Sequence, residues 1–504
     1  ARVATEHHFI RPGTDALALL AMLHVVFAER SPKLGAHARG ARNLDRLRAL
    51  AEQVSPERAA RVTGVPAETL RSLALRLADT PRAAVYGRVG VCTQAFGGAA
   101  AMLINALNAV TGHLDREGGV MFTRPALDPV HRPTGRPGRA RKRFGRWRSR
   151  VRGLPEFGGE LPVAALAEDI LTPGDERIRG LVVWAGNPVL SGPDGGQLDE
   201  ALASLDFMVS VDLYVNETNR HADLILPVVP PLSRPHYDAV FNALAVRNVA
   251  KFVPALLPVD GEERHDWQVA IDLQRRLARL RGEPLPARAW LRANRIVGPR
   301  GKLALGLRVG PRGLQTGPGG VSLAKLQAHP HGLDLGPLEP CLRDRMPSDW
   351  EGVDLCPDAY EPGWDALLAT LDTEPEPLVL IGRRQLRTNN SWLHNAERLM
   401  KGRDRCTLLI HPDDAARLGL ESGDRARVES RVGRVEVPVD VTDTMMAGVV
   451  SLPHGFGHGR EGVGWKTAAA HAGVSINDLT DAARVDPVSG NAAFSGTPVR
   501  VEAL

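Results

Sequence analysis

The hydrophobic pattern of the N-terminal part alternates between helical and extended periods. From Asp15 to Glu29 the apolar side chains recur every three or four residues, which predicts a helix capped by Thr14 or Asp15. Further helices are expected over about 43–78 and about 98–111. Between them, an apolar strand at Ala83–Tyr86 is expected to enter a glycine turn. A strand, a glycine turn and a helix in this order are typical of α/β domains.

A second α/β unit is predicted further along the chain. The short apolar strand Leu181–Ala185 is followed at once by Gly186-Asn187-Pro188. A helix over about 197–204, a strand at Phe207–Val211 and the extended stretch Ala222–Val228 complete a βαβ-like unit. Continuous apolar strands of this kind are typical of parallel sheets, in which ligands bind beyond the carboxyl ends of the strands. Functional residues are therefore expected in the turns that follow these strands.

The C-terminal part has a different pattern. Residues 285–375 are rich in Gly, Pro and Arg, with weak periodicity, and irregular excursions with a few helices are expected there. After Pro377 the pattern predicts short strands separated by turns and one brief helix at Pro412–Leu418. The predicted strands are Leu378–Ile381, Val428–Ser430, Val435–Val441 and Val449–Leu452. They favour a compact β-barrel-like terminal domain.

Composition narrows the class of protein. With 504 residues, 43% of them hydrophobic, the chain can bury several cores, which excludes a disordered or fibrous protein. No apolar run is long enough to predict a membrane span. The net charge of +5 is small, and much of the basic excess lies in Arg132–Arg152. That segment could bind nucleic-acid phosphate, but a solvated linker is favoured because only Phe144 and Trp147 could stack on bases.

The four cysteines, Cys92, Cys341, Cys356 and Cys406, stand far apart and form no CxxC pair. This spacing argues against a zinc knuckle, an iron–sulfur cluster or a disulfide framework within the segment. The first residue is Ala1, and we expect that an upstream portion precedes it. A cytoplasmic location is favoured, and the periplasm is left open because the N-terminus is expected to be missing.

Several turns could bind a large anionic ligand, because free amides after strands and at helix N-termini attract phosphate. These turns are Gly13-Thr14-Asp15, Gly87–Gly90 and Gly186–Pro188. The polar segment Asp212–Pro227 also carries acid, amide, hydroxyl and imidazole groups that could satisfy a purine and a pyrophosphate. An ordinary polar loop remains the alternative. A metal site made of Glu217, His221 and Asp223 is disfavoured because their spacing is irregular.

These phrases together resemble the molybdopterin oxidoreductase family, also called the dimethyl sulfoxide reductase family. The resemblance covers nearly the whole chain in the expected order. It rests on the following segments: Arg11–Asp15, Leu107–Gly119, Gly186–Pro188 with Asp212 and Asn216–Pro227, Gly382–Arg384, Pro453–Gly455 and Asn477–Leu479. It implies an α/β fold in which Rossmann-like dinucleotide-binding domains are followed by a C-terminal double-psi-like β-barrel.

The resemblance also implies a cofactor and its binding residues. Family members bind two molybdopterin guanine dinucleotides around one Mo or W atom. Gly13, Thr14 and Asp15 would serve one nucleotide, and Gly186, Asn187, Pro188, Asp212, Glu217, Thr218, His221 and Asp223 would serve the other. In the barrel, the implied cofactor contacts are Gly382, Arg383, Arg387, Asn389, His454, Asn477 and Phe494. No metal ligand is assigned to this chain.

The implied activity is a two-electron redox reaction on a small substrate, with Arg88 and Arg124 as candidate substrate-facing charges. Electrons would pass to an iron–sulfur or other electron-transfer protein, and a 4Fe-4S cluster could lie on the missing N-terminal part. No nucleic-acid partner is expected. The family's metal ligand usually lies upstream of the phrase at Arg11, and Val120–Pro125 departs from the formate dehydrogenase pattern. The alternative is a catalytically silent cofactor-binding scaffold subunit of a redox complex.

The predicted organisation has four parts. Residues 1–130 form the C-terminal part of an α/β molybdopterin-binding domain, and residues 131–155 form a basic linker. Residues 156–375 form a second Rossmann-like domain with irregular excursions. Residues 376–504 form the dinucleotide-binding β-barrel.

Overall fold

The computed structural model describes residues 3–35, 40–128, 144–261, 263–313, 319–346, 350 and 352–504. Its N-terminal unit is helical. The helices are α1 (Asp15–Glu29), α2 (Leu44–Glu52), α3 (Pro56–Thr63), α4 (Ala67–Asp79), α5 (Val89–Cys92) and α6 (Gly97–Val110). Helix α1 is apolar on most sides and lies at the centre of the core, where Leu20 and Leu23 are fully buried. The prediction of a helix over Asp15–Glu29 is confirmed.

The predicted strand at Ala83–Tyr86 is wrong. These residues form neither a helix nor a strand. The amide of Asn108 on α6 bonds to both backbone groups of Val85, at 2.9 Å each. An extended segment that is held by a buried side chain needs no neighbouring strand to satisfy those groups.

The second unit is a small α/β layer. It is preceded by the hairpin β1 (Phe144–Arg148) and β2 (Pro155–Phe157). It then comprises α7 (Leu166–Leu171), β3 (Gly180–Trp184), α8 (Pro188–Ser191), α9 (Gly195–Ala203), β4 (Phe207–Val211) and β5 (Leu224–Leu226). The three strands β3, β4 and β5 run parallel in that order. Ile170 of α7 and Leu202 of α9 pack against Met208 of the sheet, which confirms the predicted βαβ arrangement.

The predicted linker at 131–155 needs correction at its C-terminal end, while residues 129–143 lie outside the described part of the chain. From Phe144 the chain forms the β1–β2 hairpin. Its arginines bond within the protein: Arg146 with Glu156, and Arg152 with Glu168 at 2.6 Å. Glu156 is buried and also accepts a hydrogen bond from the backbone amide of Arg146. This end of the basic segment is therefore a folded hairpin that is bonded to the rest of the protein and not a solvated linker.

A long excursion follows β5. Its elements are β6 (His236–Tyr237), α10 (Ala239–Ala243), β7 (Val249–Ala250), β8 (Phe252–Val253), α11 (Asp266–Leu280), α12 (Leu285–Val309), α13 (Leu323–Gln327), β9 (Leu333–Asp334), α14 (Leu342–Arg345) and α15 (Glu361–Ala369). Leu285–Val309 is more helical than the expected irregular structure, but Gly298, with a non-helical φ of 59°, divides α12 into two helical stretches at the Gly298-Pro299 step. Helix α15 packs back on the N-terminal core through Trp364 and Leu367, although the sequence groups it with residues 156–375.

The C-terminal unit is built on a curled sheet. Its elements are β10 (Val379–Arg383), α16 (Glu397–Met400), β11 (Leu408–Ile410), α17 (Pro412–Leu418), β12 (Arg425–Glu429), β13 (Arg434–Val441), β14 (Val449–Pro453), α18 (Lys466–Ala470), β15 (Thr497–Pro498) and β16 (Arg500–Ala503). The strand order is β15-β10-β14-β11-β13-β12-β16. The pairs β10–β14 and β11–β13 are parallel, and the other pairs are antiparallel. The predicted strands and the helix at Pro412–Leu418 are confirmed.

Taken together, the chain has a mixed α/β fold. In the part of the chain that the structure describes, the helices are too short or too polar to cross a bilayer.

Candidate functional site

The two polar segments that follow β3 and β4 are in direct contact. Ala185, which has a φ of 46°, turns the chain after β3 and brings Asn187 to the start of α8. The Asn187 side-chain amide donates to Glu217 Oε2 at 2.7 Å, and the Thr218 hydroxyl donates to Asn187 Oδ1 at 2.8 Å. The structure therefore brings Asn187, Glu217 and Thr218 together at the carboxyl edge of the parallel sheet.

The loop after β4 is fixed by its own side chains. Asn216 Oδ1 accepts hydrogen bonds from the amides of Thr218 and Asn219, at 3.0 Å each. Asn216 also donates to Asp212 Oδ2 at 3.1 Å. Burial raises the pKa of Asp212 despite these contacts. The second half of this loop is packed in the interior, because Asn216, Glu217, Thr218 and Asn219 are all buried.

Glu217 connects this loop to the C-terminal unit. Its Oε1 lies 2.7 Å from Nδ1 of His458, and neither side chain is exposed to solvent. Burial alone would raise the pKa of Glu217, but the hydrogen bond and charge of His458 and the hydrogen bond from Asn187 together lower it. Glu217 is therefore ionised at neutral pH, and Nδ1 of His458 is the donor in this contact.

Aromatic and imidazole rings surround His458. Its ring stacks on Trp465, with centroids 5.3 Å apart, and the ring of His394 lies 4.5 Å away. Phe456 contacts the other side of His394. Both ring nitrogens of His394, Nε2 of His458 and Nε1 of Trp465 are buried without a hydrogen-bond partner among the described residues. Buried polar atoms are rarely left unpaired, so this cluster, which we call the histidine cluster, fits a polar ligand.

Burial also controls protonation near the histidine cluster. Loss of solvent, with repulsion from His458, lowers the pKa of His394 to about 3. Loss of solvent, with repulsion from Arg384, lowers the pKa of His454 to about 4. Both imidazoles are therefore neutral at physiological pH and can accept as well as donate a hydrogen bond.

These shifts predict an acid-sensitive fold. The pKa of His394 in the folded protein lies below its ordinary value of 6.5, so the unfolded chain takes up the proton first as the pH falls. The contribution of neutral His394 to the free energy of unfolding should be fully present above pH 6.5 and should be lost progressively towards pH 3. At pH 5 the expected loss from this residue is about 2 kcal/mol. Urea unfolding at pH 7.5 and pH 5 measures the difference. The variant His394→Asn should flatten the profile, and an unchanged profile would contradict the assignment.

The turn that contains His454 requires glycine at the next position. Gly455 has a φ of 91°, and a Cβ there would lie 2.3 Å from the carbonyl carbon and oxygen of Asn390. Asn389 and Asn390 both adopt left-handed conformations, and Arg384 donates to the Asn390 side chain. The segment after β10 and the turn after β14 are thus in backbone contact, and Asn389 and His454 lie on neighbouring loops.

The other site residues that were predicted in the C-terminal unit bond to the backbone, and among the described residues no hydrogen bond joins them to the histidine cluster. The guanidinium of Arg383 donates to the backbone carbonyls of Ser451 and Thr407, and burial lowers its pKa to about 10. Arg387 donates to the carbonyl of Lys401 at the surface. The Asn477 amide donates to the carbonyl of Leu190 at 2.8 Å, which joins this unit to α8. Gly382 pairs with Leu452 in the sheet.

The Gly13-Thr14-Asp15 turn lies at a different junction. The Thr14 hydroxyl donates to the carbonyl of Arg11 at 2.7 Å, and burial raises the pKa of Asp15. A Cβ on Gly496 would lie 3.2 Å from the carbonyl oxygen of Pro12. The backbone next to Phe494 is held by a bond from the Ser495 amide to the carbonyl of Thr93. This turn therefore faces the C-terminal unit as well.

Four of the predicted site residues lie outside the groups described above. Asp223 accepts a hydrogen bond from the Met208 amide and completes the β4–β5 ladder. His221 is paired with Asp199 at 2.6 Å. Arg124 is paired with Asp344, and Arg88 is exposed. Among the described residues, no group of three metal-ligating side chains is found.

Sequence reasoning missed His394, His458 and Trp465. A local signal was present for His394, because it lies in a run of amides, hydroxyl and aromatic residues from Asn389 to Asn395. For His458, the Gly-rich turn that contains His454 was recognised, but its partner Glu217 lies 241 residues away. No local pattern could connect them.

Comparison with known proteins places this geometry in a family. The family model described as molybdopterin oxidoreductase matches residues 1–276, more than half of the chain. The chain belongs to the molybdopterin oxidoreductase family. A second model, described as the molydopterin dinucleotide binding domain, matches residues 378–498, which contain the curled sheet. The resemblance inferred from the motifs is confirmed.

Relatives of the chain are longer than the chain itself. The menaquinone reductase molybdopterin-binding-like subunit of Nitratidesulfovibrio vulgaris is 26% identical over 502 residues, covering 98% of this chain and 62% of the relative. The F420-dependent formate dehydrogenase subunit alpha of Methanocaldococcus jannaschii is 24% identical over 473 residues, covering 89% and 64%. The chain thus spans less than two thirds of either relative.

A solved structure has the same fold. Acetylene hydratase from Pelobacter acetylenicus superimposes with a TM-score of 0.75 at 18% identity, covering 98% of this chain and 71% of the other. At this identity, the likeness concerns the fold alone.

Proposed function

We propose that this chain forms part of a Mo- or W-dependent oxidoreductase and binds a pair of molybdopterin guanine dinucleotides. The histidine cluster carries the proposal, because His394, His458 and Trp465 present buried nitrogens without partners at the junction of two units. A pterin offers amide, amine and ring-nitrogen edges that match such donors and acceptors. When bound, the cofactor supplies two-electron chemistry at the metal.

The residues of the chain would act as binding and orienting groups. His394, His458, Trp465 and His454 would face pterin edges. Gly13, Thr14 and Asp15 would meet one nucleotide, and the Gly186–Pro188 turn with Asp212 would meet the other. Arg387, Asn389, Asn477 and Phe494 would complete the barrel side, and Arg383 would hold the strands that carry them.

The pair of Glu217 and His458 would orient the cluster. An ionised carboxylate that accepts from Nδ1 fixes the imidazole and leaves Nε2 for a further contact. Asn187 holds the second carboxylate oxygen, so the orientation of His458 depends on both the β3 turn and the β4 loop. Arg88 and Arg124 remain candidates for substrate contact, although Arg124 would first have to leave Asp344.

The finer architecture also belongs to this proposal. The curled sheet, with its two parallel pairs, supports a double-psi-like barrel over residues 376–504. The β3–β5 layer supports a Rossmann-like domain within residues 156–375, and residues 1–130 would form the end of a further cofactor-binding domain. Electron transfer through an iron–sulfur protein, with a 4Fe-4S cluster outside these residues, and a cytoplasmic location complete the proposal.

A catalytically silent scaffold is the second candidate. One observation favours it: the relative that matches 98% of this chain is named a molybdopterin-binding-like subunit. A scaffold would keep the cofactor-facing residues and lack the metal.

Cofactor analysis tests the proposal. We expect the purified full-length protein to contain Mo or W by mass spectrometry and to release guanine nucleotide after acid treatment, about two per metal atom. Guanine nucleotide without either metal would favour the scaffold. Well-folded protein that contains neither would overturn both proposals.

A matched pair of variants tests whether the guanine nucleotide content depends on Glu217. Glu217→Ala should reduce the guanine nucleotide content, because it releases His458 and Asn187. Glu200→Ala changes an exposed carboxylate on α9 and should leave the content unchanged. Equal content in the two variants would contradict the assigned role of Glu217.

A further inference from the structure

The hairpin of helices α11 and α12 exposes large apolar side chains as well as burying some. On α12, Trp290 is 64% exposed and Ile296 is 85% exposed. Arg295, in contrast, is turned inward, where its guanidinium lies 5.3 Å from the Trp267 ring centroid and contacts Asp272. In a helix at the surface of a globular protein the apolar side chains normally face the core. Large apolar side chains on the exposed side of α12 are therefore unusual.

The exposed apolar residues form a continuous face. Pro286, Ala289, Trp290, Ala293, Ile296 and Val297 follow the three- and four-residue spacing of one helix side, and all are exposed. Leu277 and Leu280 at the end of α11 and Leu285 at the start of α12 extend it around the hairpin turn, with Leu280 83% exposed. We call these residues the hairpin face.

Arginines are interspersed with the residues of the hairpin face along the chain, and we call them the arginine rim. Residues 274–300 contain eight arginines and a single acidic residue, Glu283. Of these arginines, Arg275 and Arg295 are paired with Asp272. Five further arginines are exposed to solvent: Arg276, Arg279, Arg281, Arg292 and Arg300. A face of Leu, Ile and Trp beside several arginines is complementary to a surface that is both apolar and negatively charged.

The hairpin face also lies outside the segments that the family models match. The family models end at residue 276 and resume at residue 378, so every residue of the hairpin face falls between them. Its packing partners belong to the excursion after β5, where Trp267 of α11 lies against the kink at Gly298.

We propose that the hairpin face binds the surface of an anionic lipid bilayer. Trp290, Ile296 and Leu280 would enter the boundary between headgroups and acyl chains, and the arginine rim would meet lipid phosphates. Arginine stems can lie along apolar lipid while the guanidinium stays at the headgroups. The protein would then lie on the membrane through this hairpin. This inference does not depend on the proposed cofactor.

Vesicle sedimentation tests the inference on the full-length protein. We expect binding to vesicles of phosphatidylcholine with phosphatidylglycerol, little binding to phosphatidylcholine alone, and weaker binding as salt increases. Trp290→Ser with Ile296→Ser should weaken binding at least about tenfold, since two large apolar side chains lose their burial. Phe241→Ser with Leu244→Ser is the control, because these residues are 71% and 73% exposed but lie within α10 and directly after it, outside the hairpin face.

Charge variants test the rim separately. Arg276→Gln, Arg279→Gln and Arg292→Gln together should weaken binding by roughly a hundredfold, at about fivefold for each arginine. The matched control is Arg61→Gln, Arg434→Gln and Arg500→Gln, which removes three exposed charges elsewhere. Absence of binding to anionic vesicles at low salt, or equal losses in test and control variants, would overturn the proposal.

Two other outcomes identify a different occupant. If the protein dimerises and Trp290→Ser with Ile296→Ser makes it monomeric, the hairpin face binds a second copy. If vesicles fail to bind but an acidic protein co-purifies and is lost in the same variant, the occupant is a protein. Either result would replace the membrane proposal.

Discussion

Replacing Glu217 with alanine should lower the free energy of unfolding by about 3–5 kcal/mol, because two buried donors lose their acceptor, at about 1–3 kcal/mol each. His458 and Asn187 would keep their donors without an acceptor, in surroundings that exclude water. Urea unfolding followed by circular dichroism measures the change. The exposed Glu200→Ala variant should stay within about 0.5 kcal/mol of the original protein.

A second variant separates the effect of the charge of Glu217 on stability from the effect of its shape. Glu217→Gln keeps an oxygen for His458 but places an amide donor against the donor of Asn187, so we expect a smaller loss of stability of about 1–3 kcal/mol.

The pKa of Glu217 is lowered in the folded protein. Its contribution to the free energy of unfolding is therefore present above the ordinary pKa of 4.5 and disappears as the pH falls through the lowered value. A Glu217→Ala protein as stable as Glu200→Ala would show that the pair does not stabilise the junction.

Replacing Gly455 with alanine should be comparably severe, with an expected loss of at least about 3 kcal/mol. The new Cβ would lie 2.3 Å from backbone atoms of Asn390, and the φ of 91° is unfavourable for any side chain. Because the obstacle is backbone, the two loops that carry His454 and Asn389 would have to separate. Urea unfolding gives the stability, and guanine nucleotide content reports whether the displaced loops still bind.

Gly423 provides the matched control for Gly455. It also has a positive φ, 102°, but no atom lies within 4 Å of a Cβ built there. Gly423→Ala should therefore cost about 1 kcal/mol from backbone strain alone. If both glycine variants lose the same stability, the close approach of Gly455 to Asn390 has no energetic consequence.

These two predictions concern the same junction. Glu217 extends from the loop after β4 to the turn after β14, and Gly455 allows that turn to approach the segment after β10. Asn477 adds a third link through the carbonyl of Leu190. The histidine cluster is therefore held by several contacts between units, and losing one is expected to disturb the cluster before the separate cores unfold.

Much of the fold was predictable from local pattern. Helix α1, the three parallel strands and the strands of the curled sheet follow from periods of about 3.6 and 2 residues. The motifs also placed Asn187, Glu217 and Thr218 at one sheet edge, because parallel strands end on the same side. Local rules failed where tertiary contacts replaced local ones, as at Val85, whose backbone bonds go to Asn108.

By itself, the sequence determined most of the regular elements of the N-terminal helices, the parallel layer and the curled sheet, the family, and the segments that carry the polar site residues. Tertiary structure alone decided that Glu217 meets His458 and that Asn477 meets Leu190, across 241 and 287 residues. It also decided that α12 turns Trp290 outward and Arg295 inward. Periodicity reports which side of an element is apolar, but the partner of a buried polar group depends on how separate units pack, and no local pattern contains that information.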